Sequence, residues 1–395
     1  MKAQDSSAID FDNLPQPRFW LEGNSGAWGP GNPWYETQAP HRKKLLGYLN
    51  SHPSTLTQLS DIFGAFSESV HDDLTALEKA GMLRVIDKQD EEPVYAPTFA
   101  ILSAKDFDLL YPSMATACRA YADALSSHLD EIDFIVSDCG LDIQGRWPLF
   151  MAFIRDEMFY TFMDEQGLFA QEDNSFLQKG NFYGVEPYSP LDSKSRFGLT
   201  HSRGPHHSFI YIYPYPNPQA RSLFEQWGFK YEFEATEVLD SLLWTMGRET
   251  PSKVDKLVQC LEQMDIQGLK ELVSSGHLRP MINYLEAQGV VHQAGDGYVK
   301  KTAHVDKAIL SELQRIADPA TKEIADFLKS PALEELYQQT CVGRNGIPMG
   351  QFREVVGWKT VWAATGFVTE WGFLSDLTGT GRELFVFERR DRDLI

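Results

Sequence analysis

The sequence of 395 residues predicts an α+β protein, mainly α, and three observations lead there. Helical apolar spacing followed by two short alternating runs about a tight turn occurs near residues 41–99, 252–304 and 341–388. Between the first two lies a block, 104–250, that starts with helical spacing and changes to strand-like alternation. Hydrophobic content of 43% and an aromatic share of 12% are those of a packed chain, longer than a single core usually serves. The expected division is an aromatic arm at 1–39, a first module at 40–103, a middle domain at 104–250, a second module at 251–304, a helical linker at 305–340 and a third module at 341–395.

The arm is rich in Pro, Gly and Asn, and Trp20, Trp28, Trp34 and Tyr35 are expected to pin it onto a neighbouring domain. Its opening, MKAQDSSAIDFDNLPQP, lacks the apolar core of a signal peptide, and no run of about 18 apolar residues follows. A cytoplasmic protein without a membrane span is expected. Cys118, Cys139, Cys260 and Cys341 are scattered without a CxxC pair, which suits a reducing compartment and argues against a cysteine-based zinc site.

From His41, HRKKLLGYLNSHP suits a helix with Leu45, Leu46 and Leu49 inward. Thr55 is placed to cap the next helix, TLTQLSDIFGAF. A third helix follows, with Val70, Leu74 and Leu77 as its core face, and stops at Ala80-Gly81 before a hairpin turned by KQDEEP. The stretch S-x-S-V-x-x-x-L-x-x-L-E-x-A-G-M-L, from Ser67 to Leu83, resembles the ArsR/MarR type of winged helix-turn-helix. The other two repeats resemble winged helices more distantly. The resemblance implies three winged modules around the middle domain, each with a second helix that reads duplex DNA. In the first module that face carries Glu68, His71, Asp72 and Asp73, and the wing carries Asp87, Asp90, Glu91 and Glu92. Phosphates repel carboxylates, so this module is expected to contact protein instead.

The middle block holds 21 aromatic residues among the 87 from Trp147 to Phe233, about twice the share of the whole chain. Helices are expected over Phe107–Leu129 and about Arg146–Gln166, and a buried strand over Phe209–Tyr213 ended by the prolines from Pro214. So many rings suit either core packing or a small-molecule pocket, for which Phe159, Tyr183, Arg196, His201, Arg203, Phe209 and Tyr211 are the candidates. His201, His206 and His207 lack a metal-ligand spacing, and Gly204-Pro205 suggests that they sit on a loop. No metal, cofactor or catalytic residue is expected.

In the second repeat, Pro280 fits only near a helix start, and VVHQAGDGYVKK is a hairpin about Gly295-Asp296-Gly297. Its DNA-contact candidates are Arg279, Asn283, Lys300 and Lys301. In the third, a helix over Met349–Val356, a turn at Gly357, a helix over Trp358–Thr369 and a hairpin of Gly372–Leu377 with Glu383–Glu388 are expected, with Arg353, Lys359, Thr360 and Arg382 as contacts. Pro319 and Pro331 mark breaks in the linker.

The formal charge of −20 opposes nucleic-acid binding, but the block 104–250 alone carries −11, and both 251–304 and 341–395 are neutral. The expected function is therefore a DNA-binding transcription regulator, a homo-oligomer whose middle domain binds a small-molecule effector or dimerises. Two alternatives stay open: a tandem winged-helix subunit that binds protein, and a DNA-processing enzyme such as a glycosylase. No phosphate loop, GxGxxG, zincin or GxSxG signature supports an enzyme.

Overall fold

A computed structural model describes residues 19–23, 33–37, 39–63, 67–139, 141, 146–169, 182–186, 188, 197–203, 207–214, 291–294, 297–300, 302–370 and 383–388. The first elements are β1 (Trp20–Gly23), α1 (Pro33–Glu36), α2 (Pro40–Ser51), α3 (Leu56–Phe63), α4 (Ser67–Lys79), β2 (Leu83–Gln89), β3 (Glu92–Pro97) and β4 (Ile101–Leu102). Then come α5 (Ala104–Ser126), α6 (Leu129–Asp138), α7 (Arg146–Leu149), a π-helical segment (Phe150–Glu157) and α8 (Met158–Glu165). Strands follow: β5 (Phe182–Val185), β6 (Phe197–Arg203), β7 (His207–Pro214), β8 (Val291–Ala294), β9 (Gly297–Lys300) and β10 (Thr302–Val305). The chain continues with α9 (Lys307–Leu328), α10 (Pro331–Gln339), α11 (Cys341–Arg344), α12 (Met349–Glu370) and β11 (Glu383–Glu388). The described chain is thus α+β and mainly helical.

Two compact units result, and neither is a run of consecutive sequence. Unit one gathers residues 1–116, 166–192 and 325–360; unit two gathers 117–165, 193–324 and 361–395.

In unit one, apolar spacing sets the core. Leu45, Leu46 and Leu49 of α2, Leu59 and Phe63 of α3, and Val70, Leu74 and Leu77 of α4 meet in one buried cluster with Met82, Phe99 and Ile101. Burying one such side chain is worth roughly 1.5–3 kcal/mol, which is what holds these short helices. The ends of the helices follow from side-chain chemistry. Thr55 and Gln58 cap α3 reciprocally: the Gln58 N–H donates to Thr55 Oγ1 at 3.3 Å and the Thr55 N–H to Gln58 Oε1 at 2.9 Å. At the end of α4, Gly81 adopts φ 71°, its N–H donates to the Glu78 carbonyl, and the Met82 N–H donates to that of Leu77. This left-handed stop is one that glycine takes without strain.

β2 and β3 form an antiparallel hairpin from Leu83↔Pro97 to Gln89↔Glu92, with an irregularity between Val85 and Asp87, and Ser54 bridges to Tyr95 beside it. A second sheet runs β1-β5-β4, antiparallel at β1 and parallel at β4. The arm is therefore fixed by a strand and by Phe19, which is fully buried in the core cluster. Of its expected anchors, Tyr35 is 39% exposed, and Trp28 lies outside the described residues.

Unit two contains a four-stranded sheet in the order β10-β11-β7-β6, and a separate β8–β9 hairpin that pairs Val291↔Lys300 through Ala294↔Gly297. Two expectations change here. His201 and His207 lie in β6 and β7, opposite Ile210 and Glu388, and not on a loop. Glu383–Glu388 does not close a hairpin with 372–377, which lies outside the described residues, because both its edges are taken, by β7 and by β10.

The expected helix-turn-helix of the third module is also corrected. Met349–Glu370 is one helix, with no turn at Gly357. An interior glycine costs only about 1 kcal/mol, and the burial of Phe352, Val355, Val356, Val361 and Ala364 on either side outweighs it. Pro319 likewise sits inside α9, flanked by Ile316, Ala317 and Ala320, all fully buried, whereas Pro331 starts α10 as expected.

Candidate interaction surface

The first module has one basic run, His41-Arg42-Lys43-Lys44, and the structure turns most of it toward its own framework. Arg42 Nε donates to Asp73 Oδ1 at 2.9 Å, and its Nη1 pairs with Glu36. Lys43 lies 5.4 Å from the centroid of the Phe19 ring, and burial lowers its pKa. Lys44 is 7% exposed. His41 is exposed, and its Nε2 lies 3.1 Å from the same Asp73 carboxylate. Asp73, expected on a reading face, therefore ties α4 to α2.

What remains on the outside is largely acidic. Glu68, His71 and Asp72 are exposed on α4, with Glu78 and Lys79 farther along. On the hairpin, Asp87, Lys88, Asp90 and Glu91 are exposed. Beside them stand Val85 and Ile86, 45% and 40% exposed, where the register of the strand pair shifts. A bulge re-aims side chains and ends regular pairing.

The hairpin is held in place by contacts that the sequence did not disclose. The Thr57 hydroxyl donates to Glu92 Oε1 at 2.6 Å, and the Thr57 N–H donates to Glu92 Oε2 at 3.3 Å. The hydroxyls of Thr57 and Thr55, in that order, hold the Glu92 carboxyl below its usual pKa. Gln58 Nε2 donates to Gln89 Oε1 at 3.2 Å. At the base, Arg84 Nη2 donates to the carbonyls of Asn345 and Gly346, at 2.6 and 2.9 Å. Behind it the buried Asn345 side chain donates to the Asn50 carbonyl at 2.8 Å, and Asn50 Nδ2 donates to that of Ile101 at 3.1 Å. Each of these bonds joins residues at least 31 positions apart in sequence, which is why periodicity could not find them.

The tip is strained. Asp90 and Glu91 adopt φ of 50° and 70°, the left-handed pair that a two-residue hairpin requires. Asp tolerates that region moderately and Glu poorly. The double change Asp90→Asn with Glu91→Gly is expected to raise stability by about 1 kcal/mol, read as a higher denaturation midpoint with an unchanged slope.

The other predicted contacts are placed as follows. Thr360 is fully buried, and its hydroxyl donates to the Val356 carbonyl at 2.7 Å, so it is no DNA contact. Arg353 donates to the Leu328 carbonyl and to Glu334 Oε1, both at 3.0 Å, which fixes α12 to the end of α9 and to α10. Lys359 is half-buried midway along α12. Lys300 ends β9 opposite Val291. Arg279, Asn283, Lys301, Arg382 and Arg196 lie outside the described residues.

Of the pocket candidates, Phe159 is fully buried in α8 of unit two, and Tyr183 is 8% exposed in β5 of unit one. In the four-stranded sheet His201 stands opposite Ile210, Arg203 opposite Ser208, Phe209 opposite Ser202 and Tyr211 opposite Thr200. Among the described residues no group of three His, Cys, Asp or Glu is arranged to hold a metal ion, and no helix is long and apolar enough to cross a membrane. Burial pushes the Cys118 and Cys139 thiols up to about 12 and about 11, and raises that of Cys341. Few thiolates form near neutral pH, so these cysteines are poor nucleophiles.

Comparison with family models, with curated proteins and with solved structures returned no match to this chain.

Proposed function

We propose that residues 40–97 form a winged helix that docks a basic protein surface, and that the chain is a tandem winged-helix interaction subunit. The order helix, bridge, helix, helix, hairpin supports the fold. One observation carries the function: the basic run of the module is turned toward its own core, while α4 exposes Glu68 and Asp72, and the hairpin exposes Asp87, Asp90 and Glu91 along with Val85 and Ile86. Duplex DNA would meet mostly carboxylates on that side, whereas a basic partner gains both charge complementarity and an apolar contact. The residue-level expectation is that Asp72 and Ile86 lie inside the interface.

The second reading is a DNA-binding transcription regulator. The β8–β9 hairpin favours it, because it supplies a wing with Lys300 at its end in a segment of zero net charge. Under this reading Arg279 and Asn283 reach the duplex, and an effector or dimer contact in the middle block adjusts their spacing.

Titration of generic duplex DNA at low salt separates the two. The first reading predicts that Glu68→Lys and Asp72→Lys abolish capture of a protein partner. It also predicts that duplex affinity, whatever its value, does not fall with that loss. The second predicts salt-sensitive duplex binding that Lys300→Ala and Arg279→Ala each weaken. Absence of duplex binding at low salt would sink the second reading.

A further inference from the structure

The backbone register of the β2–β3 hairpin decides which main-chain groups its outer edge offers. The two strands form a sheet by themselves, so each has an edge that the other does not cover. On β3 that edge is closed at Tyr95. Its N–H donates to the Ser54 carbonyl at 3.0 Å, and its own carbonyl accepts from the Ser54 N–H at 3.4 Å. In an antiparallel pair, facing residues exchange both bonds or neither, in alternation. Tyr95 directs both groups to Ser54, so the pair Val85↔Tyr95 exchanges none, and the Val85 N–H and carbonyl turn away from β3. Pro93 and Pro97, which have no N–H, hold the equivalent places on either side of Tyr95, opposite Lys88 and Leu83.

The outward positions of β2 differ in what covers them. Leu83 is buried. The Lys88 N–H donates to Asp87 Oδ1 at 2.8 Å, and a lysine on an edge strand itself discourages pairing. Val85 has neither protection. Among the described residues no hydrogen bond reaches its N–H or carbonyl from beyond the hairpin, and the Val85 and Ile86 side chains are 45% and 40% exposed. An edge with open backbone groups and apolar side chains is a template for another strand. The hairpin is already fixed by Thr57, Gln58 and Arg84, so a strand that joins it does not have to order it first.

We infer that the outer edge of β2 takes up an extended segment of the partner protein by strand addition at Val85. Apolar side chains of that segment lie on Val85 and Ile86, and its Lys or Arg side chains reach toward Asp87, Asp90 and Glu91. This rests on the reading of the first module as a docking surface for a basic protein, and it adds the form in which that protein binds. Main-chain pairing at Val85 fixes the segment, and the exposed carboxylates select its charge. A second copy of the chain is the poorer occupant, because each copy brings a formal charge of −20.

The probe is a fluorescent, acetylated peptide that alternates arginine and valine, titrated onto the full chain and read by anisotropy. Its controls are the same peptide with its central amides N-methylated, and a peptide that alternates glutamate and valine. The basic peptide is expected to bind, the methylated one to bind roughly tenfold more weakly, and the acidic one not to bind. Val85→Pro removes the outward N–H and no bond to β3, so the variant is expected to fold and to lose roughly tenfold in affinity. Should it fail to fold, the methylated peptide decides alone. Failure of the basic peptide to bind, equal affinity of the methylated peptide, or unchanged affinity in folded Val85→Pro would each overturn the inference. So would self-association of the chain that Val85→Pro abolishes, since a second copy would then be the occupant. A protein partner still lost with Glu68→Lys and Asp72→Lys would, in those cases, leave the docking reading standing without strand addition. Peptide binding through Val85 beside a partner that survives that reversal would instead sink the docking reading.

Discussion

Replacing Gly343 with alanine is expected to be among the most destabilising single-methyl changes in unit one. α11 is a single turn that follows α10 through Thr340. That threonine ties the two together: its hydroxyl donates to the Tyr337 carbonyl at 2.7 Å and accepts from the Gly343 N–H at 3.2 Å. The chain is drawn so close that a Cβ on Gly343 would stand 2.1 Å from the Tyr337 carbonyl oxygen and 2.9 Å from its carbon. Those atoms are backbone, so no side chain can swing aside, and relief requires α11 to move away from α10. Overpacking a closed site commonly costs about 1–3 kcal/mol, and a backbone clash belongs at or above the top of that range. Gly366, with nothing within 4 Å of an added methyl group, is the control. Gly366→Ala should gain up to about 1 kcal/mol from helix propensity. A Gly343→Ala protein within about 1 kcal/mol of wild type would show that the α10–α11 contact is not close in solution.

Asp106→Ala is the second large effect. Asp106 is 2% exposed and serves two helices at once. Its Oδ2 accepts from the Ser103 N–H at 2.9 Å and from the Ser103 hydroxyl at 2.8 Å, while that hydroxyl accepts from the Asp106 N–H at 3.2 Å. This is a capping box at the start of α5. Its Oδ1 accepts from the Cys341 N–H at 2.9 Å, the first free donor of α11. Alanine leaves the Ser103 and Cys341 amides without their acceptor in a buried place. At about 1–3 kcal/mol for each unsatisfied group, partly offset by water entering, the net loss should be about 3 kcal/mol. Asn keeps one acceptor oxygen and should lose about half as much. Chemical denaturation monitored by circular dichroism reads both, and equal stability of Ala and Asn variants would contradict the two-sided role of this carboxylate.

These two sites also show which parts of the molecule the sequence discloses. Leu45, Leu46, Leu49, Val70, Leu74 and Leu77 were legible because one helix period records one buried face, and the core contains all six. Thr55 and Gly81 were legible because caps act within five residues. Asp106 looks like a surface acid in the sequence, since its second partner lies 235 residues away. Gly357 resembles a turn for the same reason: the glycine signal is local, whereas the burial that overrides it comes from packing along α12. β11 illustrates the point for strands. Its apolar alternation was plain, but its neighbours are residues 207–212 and 302–305 and not the nearest strand-like run.

The candidate surface was half legible. Glu68, Asp72, Asp87, Asp90 and Glu91 are exposed as expected, but the fate of the basic run was not, because Arg42 finds Glu36 and Asp73 only after folding. Had Arg42, Lys43 and Lys44 faced outward, the same acids would have been offset locally. Their inward placement makes the charge of the face decisive. The register shift beside the exposed Val85 and Ile86 has no sequence signal, being a property of how β2 meets β3.

The most direct measurement puts a photo-activated crosslinking residue at position 86, on the exposed hairpin beside Asp87, and irradiates cells that contain the full chain. The account predicts a covalent adduct to a protein with a basic surface. That adduct should be lost when Glu68→Lys and Asp72→Lys reverse the charge of α4, and kept when Glu335, exposed on α10, is reversed instead. An adduct to nucleic acid, or a protein adduct that survives the reversal on α4, would contradict it.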